Sequence, residues 1–398
     1  MKRPLFIFAL ACLLVLSGCA LSPQPPAQPV PPSADSPAVP EVDQPEPDPP
    51  TAQEIADAQV ETLLSSMTME EQVGQLFFVR VPDTEAGNDV REYHLGGYIL
   101  FGRNTKDKTA NELIQTIQSY QDAADIPLLI GVDEEGGSVV RVSSNPHLRS
   151  EKFKSPRQLY ASGGMQAVVQ DTHEKDVLLK ALGFNVNLAP VADVSTDPGD
   201  FIYDRTLGLG AEDTAAYTVR LTTAMTADGM GSVLKHFPGY GDNADTHTGI
   251  AVDTRPLETF EAADFLPFSA GLGGGGKHCA VLVSHNIVTC MDDQLPASLS
   301  PAVHETLRRL MKSAGRGENV VMTDDLAMDA VAAYAKDGAV AVLALKAGND
   351  LVVTTDYRTQ IPKVLEAIES GALSPETVTV ACRRVLQWKQ ALGLLPQA

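Results

Sequence analysis

At 398 residues and 44% hydrophobic, the chain can bury one large core or two ordinary ones. Its formal net charge is −21 and no Lys or Arg occurs between Arg3 and Arg80. There is no basic stripe for a phosphate backbone, so nucleic acid is excluded as a partner and a neutral, polar substrate is favoured.

Residues 1–18 join two early positive charges, Lys2 and Arg3, to an apolar run from Pro4 to Leu16 that is too short for an ordinary membrane span. Leu16-Ser17-Gly18-Cys19 reads as a lipobox. It predicts a signal peptide cleaved before Cys19, lipid on that thiol, and an extracytoplasmic protein anchored to the membrane by lipid alone. An uncleaved apolar anchor is the alternative and gives a similar address. Residues 19–52 are rich in Pro and carry acids but no bases, so they are expected to form an extended tether. After Cys12 and Cys19, the remaining Cys279, Cys290 and Cys382 are odd in number and lack C-x-x-C spacing, which predicts neither a disulfide framework nor a zinc site. A Cys279–Cys290 bridge is the alternative to a packed Cys279 thiol.

Residues 53–398 alternate short apolar runs with longer stretches of helical periodicity, the pattern of a parallel sheet covered by helices. The predicted strands are Val73 to Val79, Gly97 to Phe101, Leu128 to Val132, Asn185 to Leu188, Ser232 to Leu234, Ala280 to Ser284, Val320 to Thr323 and Leu351 to Thr354. The count matches a (β/α)8 TIM-type barrel, a fold of typically about 250 residues that accepts insertions, and a doubly wound open sheet is the runner-up. Predicted helices include Thr109 to Ala124, Gln166 to Leu182, Glu212 to Ala227, Pro301 to Ser313 and Pro375 to Leu392. Ser300 and Ser374, each before a Pro, are expected N-caps. The last segment is expected to be an amphipathic helix packed on the barrel.

Barrel enzymes place their chemistry at the carboxyl ends of the strands. Here Asp133-Glu134-Glu135-Gly136-Gly137 follows the third run, Pro190 to Asp193 the fourth, Lys235-His236 the fifth, His285-Asn286 the sixth and Asp324-Asp325 the seventh. Five polar ends in register point to one shared pocket. Asp324, the first polar residue off its strand, can act as a carboxylate nucleophile, and Asp325, where a helix is expected to begin, reads as a helix N-cap. His247 is the candidate proton donor, with Asp245 holding its ring and stabilising its charged form. The Gly residues around them, Gly239, Gly241 and Gly249, indicate a loop. A metal reading of Asp242, Asp245 and His247 lacks the calcium-loop pattern and a helical His pair.

The segments K-H-F-P-G-x-G-D with D-x-H behind it, D-x-E-G-G, T-D-D-L-A-M, P-A-S-L-S-P and R-R-V-L-x-x-K-x-x-L-G-L resemble family 3 glycoside hydrolases, within them the β-N-acetylglucosaminidases of the NagZ type. The resemblance runs from Met67 to Leu395. It implies a single catalytic barrel that releases terminal N-acetylglucosamine with retention from peptidoglycan fragments or related glycans. It further implies Asp324 as nucleophile, His247 and Asp245 as the acid/base pair, and Asp133, Arg141, Arg205, Lys235 and His236 as the groups that hold the sugar. His285 is expected either near the pocket or as a satisfied core histidine, and His278 in a loop. Ser138 stands where the family usually has Arg, Tyr240 where it has His, and Thr246 where it has Ser; Ser138 is expected to weaken a supporting contact and Tyr240 to alter an outer subsite.

No metal or organic cofactor is called for, since the carboxylate supplies the nucleophile and the imidazole the proton. A glycan is the expected partner and a monomer the expected state. The alternatives are a family 3 β-glucosidase, a glycoside phosphorylase, and an amino-sugar-binding lipoprotein that does not cut.

Overall fold

The computed structural model of the chain describes residues 49–241, 243, 250–332, 334 and 339–395. The leader, Cys19 and nearly all of the tether lie outside the described residues.

Eight parallel strands form one sheet: β1 (Phe77–Arg80), β2 (Gly97–Leu100), β3 (Leu129–Val132), β4 (Val186–Asn187), β5 (Gly231–Phe237), β6 (Cys279–Val283), β7 (Val321–Thr323) and β8 (Val352–Thr354). Their order is β8-β1-β2-β3-β4-β5-β6-β7. A parallel bridge from Met322 to Leu351 joins the two ends, with Thr323 N donating to Leu351 O at 3.1 Å and Leu326 N to Val353 O at 2.9 Å. The ring is thereby closed, and the fold is the (β/α)8 barrel rather than an open sheet. Strands β2 to β8 are buried throughout, which is why they read in sequence as continuous apolar runs without alternation.

Helices α1 (Ala52–Ser66) and α2 (Met69–Gln75) precede the barrel. Those after successive strands are α3 (Ala86–Tyr93), α4 (Ala110–Gln121), α5 (Pro156–Leu182), α6 (Ala211–Ala227), α7 (Phe265–Gly275), α8 (Pro301–Ser313), α9 (Val340–Ala347) and α10 (Tyr357–Glu369), and α11 (Pro375–Ala391) closes the chain. Thr51 with Glu54, Thr68 with Glu71, Thr109 with Glu112 and Ser155 with Gln158 form reciprocal capping boxes that satisfy the first free N–H groups of α1, α2, α4 and α5. Ser300 caps α8 through Val303 N at 3.3 Å. Ser374 stands before Pro375 as expected, but its side chain makes no capping bond.

Several elements differ from the sequence expectation. The first strand runs from Phe77 to Arg80, because the Thr68 capping box nucleates helix through Gln75 and a Cβ on Gly74 would lie 2.1 Å from Tyr93 O. Helix α5 starts at Pro156, ten residues before Gln166, and passes a break at Gly163 and Gly164. Helix α1 begins at Ala52, inside the stretch assigned to the tether, and docks on α11: Gln390 Nε2 donates to Ala56 O at 2.8 Å and Arg383 Nε pairs with Glu61 at 2.5 Å. Gly273 to Gly275 end α7, and His278 follows in a short 3-10 turn. Cys279, Cys290 and Cys382 are free thiols, and burial pushes Cys279 and Cys382 up to about 12.

Candidate active site

A cavity of about 480 Å³ opens at the carboxyl end of the barrel. Its apolar lining includes Ile99, Leu188, Leu282 and Val353, one from each even-numbered strand or the residue just after it. Arg80, Asp133, Lys235 and Asp324 come in the same way from the four odd-numbered strands, nearer the strand ends. Layers built from alternate strands are what barrel closure imposes on inward-facing side chains. The same rule that packs the interior therefore gathers four charged groups that are distant in sequence.

Asp324, half-buried, is fixed by its backbone: its N–H donates to Val283 O at 2.9 Å, and its Oδ1 accepts from Asp325 N at 2.8 Å. Asp325 is not a helix cap. Its Oδ1 accepts from Ala327 N at 2.9 Å in a turn, its Oδ2 pairs with Arg80 Nε at 2.5 Å, and the next helix starts only at Asp329. Burial raises the Asp325 carboxyl and the Arg80 charge opposes this. His285, fully buried, sits behind the site: its Nδ1 meets Ser298 Oγ at 2.7 Å and its Nε2 meets Asp325 O at 3.0 Å. It is the satisfied core histidine and a support for the Asp324 turn.

Glu135 is the hub of the polar network. Lys235 Nζ reaches Glu135 at 2.7 Å and Asp133 at 2.6 Å, while Arg205 forks Glu135 through Nε at 3.0 Å and NH2 at 2.8 Å. Burial alone would raise the Glu135 carboxyl, but the Arg205 and Lys235 charges overcome it and hold it well below the usual carboxylate range. Burial likewise lowers Lys235 and Arg205, and their carboxylate neighbours reverse this, so both stay charged. Arg205 NH2 also donates to His236 Nε2 at 3.1 Å. An Arg cannot accept, so His236 carries its proton on Nδ1, which donates to Asp193 Oδ2 at 2.7 Å. Asp193, fully buried, accepts as well from His236 N at 3.1 Å and Tyr240 N at 2.7 Å. Lys235 and His236, adjacent in β5 and joined by a cis peptide bond, both line the cavity.

Arg141 lines the cavity too; its backbone N–H donates to Glu134 Oε2 at 2.7 Å, and its Nε is buried without a hydrogen-bond partner among the described residues. Glu134 also accepts from Val142 N and Ser143 N, which ties down the loop after β3. Ser138 lines the cavity, whereas Tyr240 lies behind the wall, its ring 5.6 Å from that of His236 and 5.7 Å from that of Phe201.

Asp133, Arg141, Arg205, Lys235, His236 and Asp324 thus come together in one cavity. Asp242, Asp245, Thr246 and His247 lie outside the described residues. The described chain flanking them is clamped by Arg255, which forks Asp253 through Nε at 3.1 Å and NH2 at 2.8 Å, pairs with Asp264 at 3.0 Å and donates to Gly239 O at 3.4 Å. Sequence reasoning missed Arg80, Glu135 as hub, and this clamp. Glu135 was visible within D-x-E-G-G, and Arg80 directly follows the first predicted run, Val73 to Val79, but no motif marks Arg80 and the clamp has no local signature.

Among the described residues no cluster of His, Cys, Asp and Glu has metal-site geometry. The chain matches the glycosyl hydrolase family 3 N-terminal domain over residues 68–388. It is 31% identical to the β-hexosaminidase LpqI of Mycobacterium tuberculosis, covering 77% of this chain and 78% of that protein. It is 30% identical to a β-hexosaminidase of Methylococcus capsulatus, over 70% of this chain and 81% of the relative. The family 3 β-N-acetylglucosaminidase structure from Paenibacillus sp. FPU-7 superposes with a TM-score of 0.75 at 30% identity, covering 84% of this chain and 64% of that one. With a closed barrel, a carboxylate at the end of β7 and this match over most of its length, the chain is a glycoside hydrolase and belongs to glycoside hydrolase family 3.

Proposed function

We propose that the chain is a retaining, exo-acting β-N-acetylglucosaminidase that releases terminal N-acetylglucosamine from peptidoglycan fragments or related glycans. The observation that carries this is Asp324 sharing one cavity with the Asp133–Lys235–Glu135–Arg205–His236 network. Charged groups held by one another, at a depth where few waters compete, suit the hydroxyl groups of one terminal sugar. Asp133 and Arg141 are the acceptor and donor for those hydroxyls, and Arg205, His236 and Lys235 fix the wall.

In this reading the Asp324 carboxylate attacks the anomeric carbon as the aglycone oxygen departs with a proton from His247, leaving a glycosyl ester on Asp324. His247, now a base, takes a proton from water, whose oxygen attacks the same carbon and frees Asp324; two inversions give net retention. Asp245 stabilises the imidazolium that donates in the first step and forms again in the second. The roles of His247 and Asp245 rest on the sequence motif. The β-hexosaminidase names of the relatives support the amino-sugar preference.

The test is turnover of p-nitrophenyl N-acetyl-β-glucosaminide, with the glucoside in parallel and with phosphate present or absent. The expected result is hydrolysis of the amino sugar, insensitive to phosphate, and a loss of at least about 10⁴-fold in Asp324→Ala. Preference for the glucoside, or phosphate-dependent release, overturns the reading. The amino-terminal segment is proposed to be a lipoprotein leader, tested by incorporation of labelled palmitate that Cys19→Ala abolishes.

A further inference from the structure

The barrel closes between β7 and β8, and Asp324 stands at the carboxyl end of that seam. Leu351 N donates to Val321 O and Thr323 N to Leu351 O, both at 3.1 Å, the regular spacing of a parallel ladder. The next two rungs of such a ladder would run from Val353 N to Thr323 O and from Asp325 N to Val353 O. In their place Val353 N donates to Thr323 Oγ1 at 3.0 Å, and Leu326 N takes Val353 O at 2.9 Å. The chain has gained one residue against β8, which releases the Asp325 N–H from the ladder. That N–H donates to Asp324 Oδ1 at 2.8 Å. The Asp324 carboxylate is therefore aimed by a peptide group that the sheet itself does not hold.

Asp325 is held from outside the ladder. His285 Nε2, from the loop after β6, meets its carbonyl oxygen at 3.0 Å, and Met328 N donates to the same oxygen at 3.0 Å. Its Oδ1 accepts from Ala327 N, which closes the turn on itself. Its Oδ2 is buried and touches Arg80 Nε at 2.5 Å, and neither atom has a hydrogen-bond partner elsewhere among the described residues. Arg80 ends β1, on the far side of β8 from β7, so this ion pair crosses the seam beyond the point where the ladder stops. The guanidinium is itself seated, with its carbon 4.3 Å from the centre of the Phe101 ring. A carboxylate as buried as Asp325 needs a counter-charge to stay ionised, and Arg80 is the cation that opposes the effect of burial there.

We propose that Arg80 is a positioning residue for the reaction: through Asp325 it pins the loosened end of β7 to β1 and so fixes the direction from which Asp324 meets the anomeric carbon. The inference rests on the proposed function, in which Asp324 is the nucleophile. The Arg80–Asp325 pair is neutral as a whole, so it holds the turn without adding net charge beside a carbon that becomes cationic in the transition state. A lone cation at this place would oppose that charge, and a lone Asp325 carboxylate would repel Asp324.

The experiment compares the wild-type chain with Arg80→Met, Arg80→Lys, Asp325→Asn and Arg80→Met/Asp325→Asn. It reads steady-state kinetics on p-nitrophenyl N-acetyl-β-glucosaminide and backbone hydrogen exchange by mass spectrometry. Arg80→Met is expected to lower kcat about 10- to 100-fold with KM changed less than about twofold, since misplacing a reacting group by about 1 Å costs that much. Asp325→Asn keeps an acceptor for Ala327 N but loses the ion pair, so it should lower kcat comparably. The double variant should fall no further than the worse single one, as for two ends of one link. Arg80→Lys keeps the charge and should recover part of the loss. Exchange in Arg80→Met should quicken in peptides covering residues 321–328 and stay unchanged in the rest of the barrel. Additive losses, a loss carried by KM, or exchange that is unchanged or raised throughout the barrel overturns the inference. Exchange needs no turnover, so the two readings separate: a local change in exchange with an inactive wild type refutes only the enzyme reading, and an active wild type with undiminished kcat in Arg80→Met refutes only the role of Arg80.

Discussion

Glu135 is the side chain on which the polar wall depends. It is buried, and its two cationic partners, Lys235 and Arg205, have few waters to fall back on. Glu135→Gln leaves those charges under-compensated, so a loss of about 3–5 kcal/mol in unfolding free energy is expected from denaturant titration. The pH dependence has a fixed sign. The folded carboxyl lies below its ordinary value of 4.5, so its stabilisation is complete above that value and is lost as pH falls below it. Thermal melts across the acid range should show this slope in wild type and a shallower one in Glu135→Gln. At this scale the sequence was most legible where polar residues follow an apolar run: position alone placed Asp133, Lys235 and Asp324 at one end of the barrel, and their expected roles toward a sugar came from the motifs. Arg80 ends its strand in the same way and was passed over, because no motif accompanies it.

At the scale of elements, alternation of odd and even strands explains why distant motifs meet, and the count and order of strands were readable because each strand is an apolar run buried on both faces. The helices were less so. Helix α7 ends in glycines that read as loop, and α5 crosses a glycine break that hides its first turns. The Arg255 clamp spans Gly239, Asp253 and Asp264, three elements whose proximity no local pattern encodes. It holds both flanks of the segment bearing Asp245 and His247. If His247 is the proton donor proposed above, Arg255→Ala is expected to lower kcat about 10- to 100-fold with little change in KM, since a small misplacement of such a group costs that much. Arg255→Lys, which keeps the charge but not the fork, should restore little of it. Steady-state kinetics on the chromogenic substrate checks both.

Across the whole molecule, the amino-terminal end of the barrel is sealed by α1 and α11. Helix α1 lies outside the stretch matched by the family, yet it buries Val60 and Leu64 against the core. A chain starting after Ser66 is expected to lose about 3 kcal/mol or more, from the lost burial of Val60 and Leu64, and to melt correspondingly lower in calorimetry. Lys389 on α11 is fully buried, with Gln75 Oε1 accepting at 2.6 Å, and burial pushes it down to about 7 from 10.5. Between those values the unfolded chain holds a proton that the folded chain has released, so stability rises with pH through that window. Lys389→Met should flatten the rise, as read by denaturant titration across it. The amphipathic character of α11 was evident in sequence; that its lysine faces inward was not, because periodicity marks faces and not depth.

The single tryptophan, Trp388, is buried on α11 and donates its Nε1–H to His278 O at 3.0 Å, one residue before β6 begins. It therefore occupies the end of the barrel away from Asp324. Intrinsic fluorescence in this protein is a spectator of ligand at the mouth and a reporter of whether the terminal helix is seated. A change of emission on heating that precedes loss of turnover would time the two ends separately, with no label introduced.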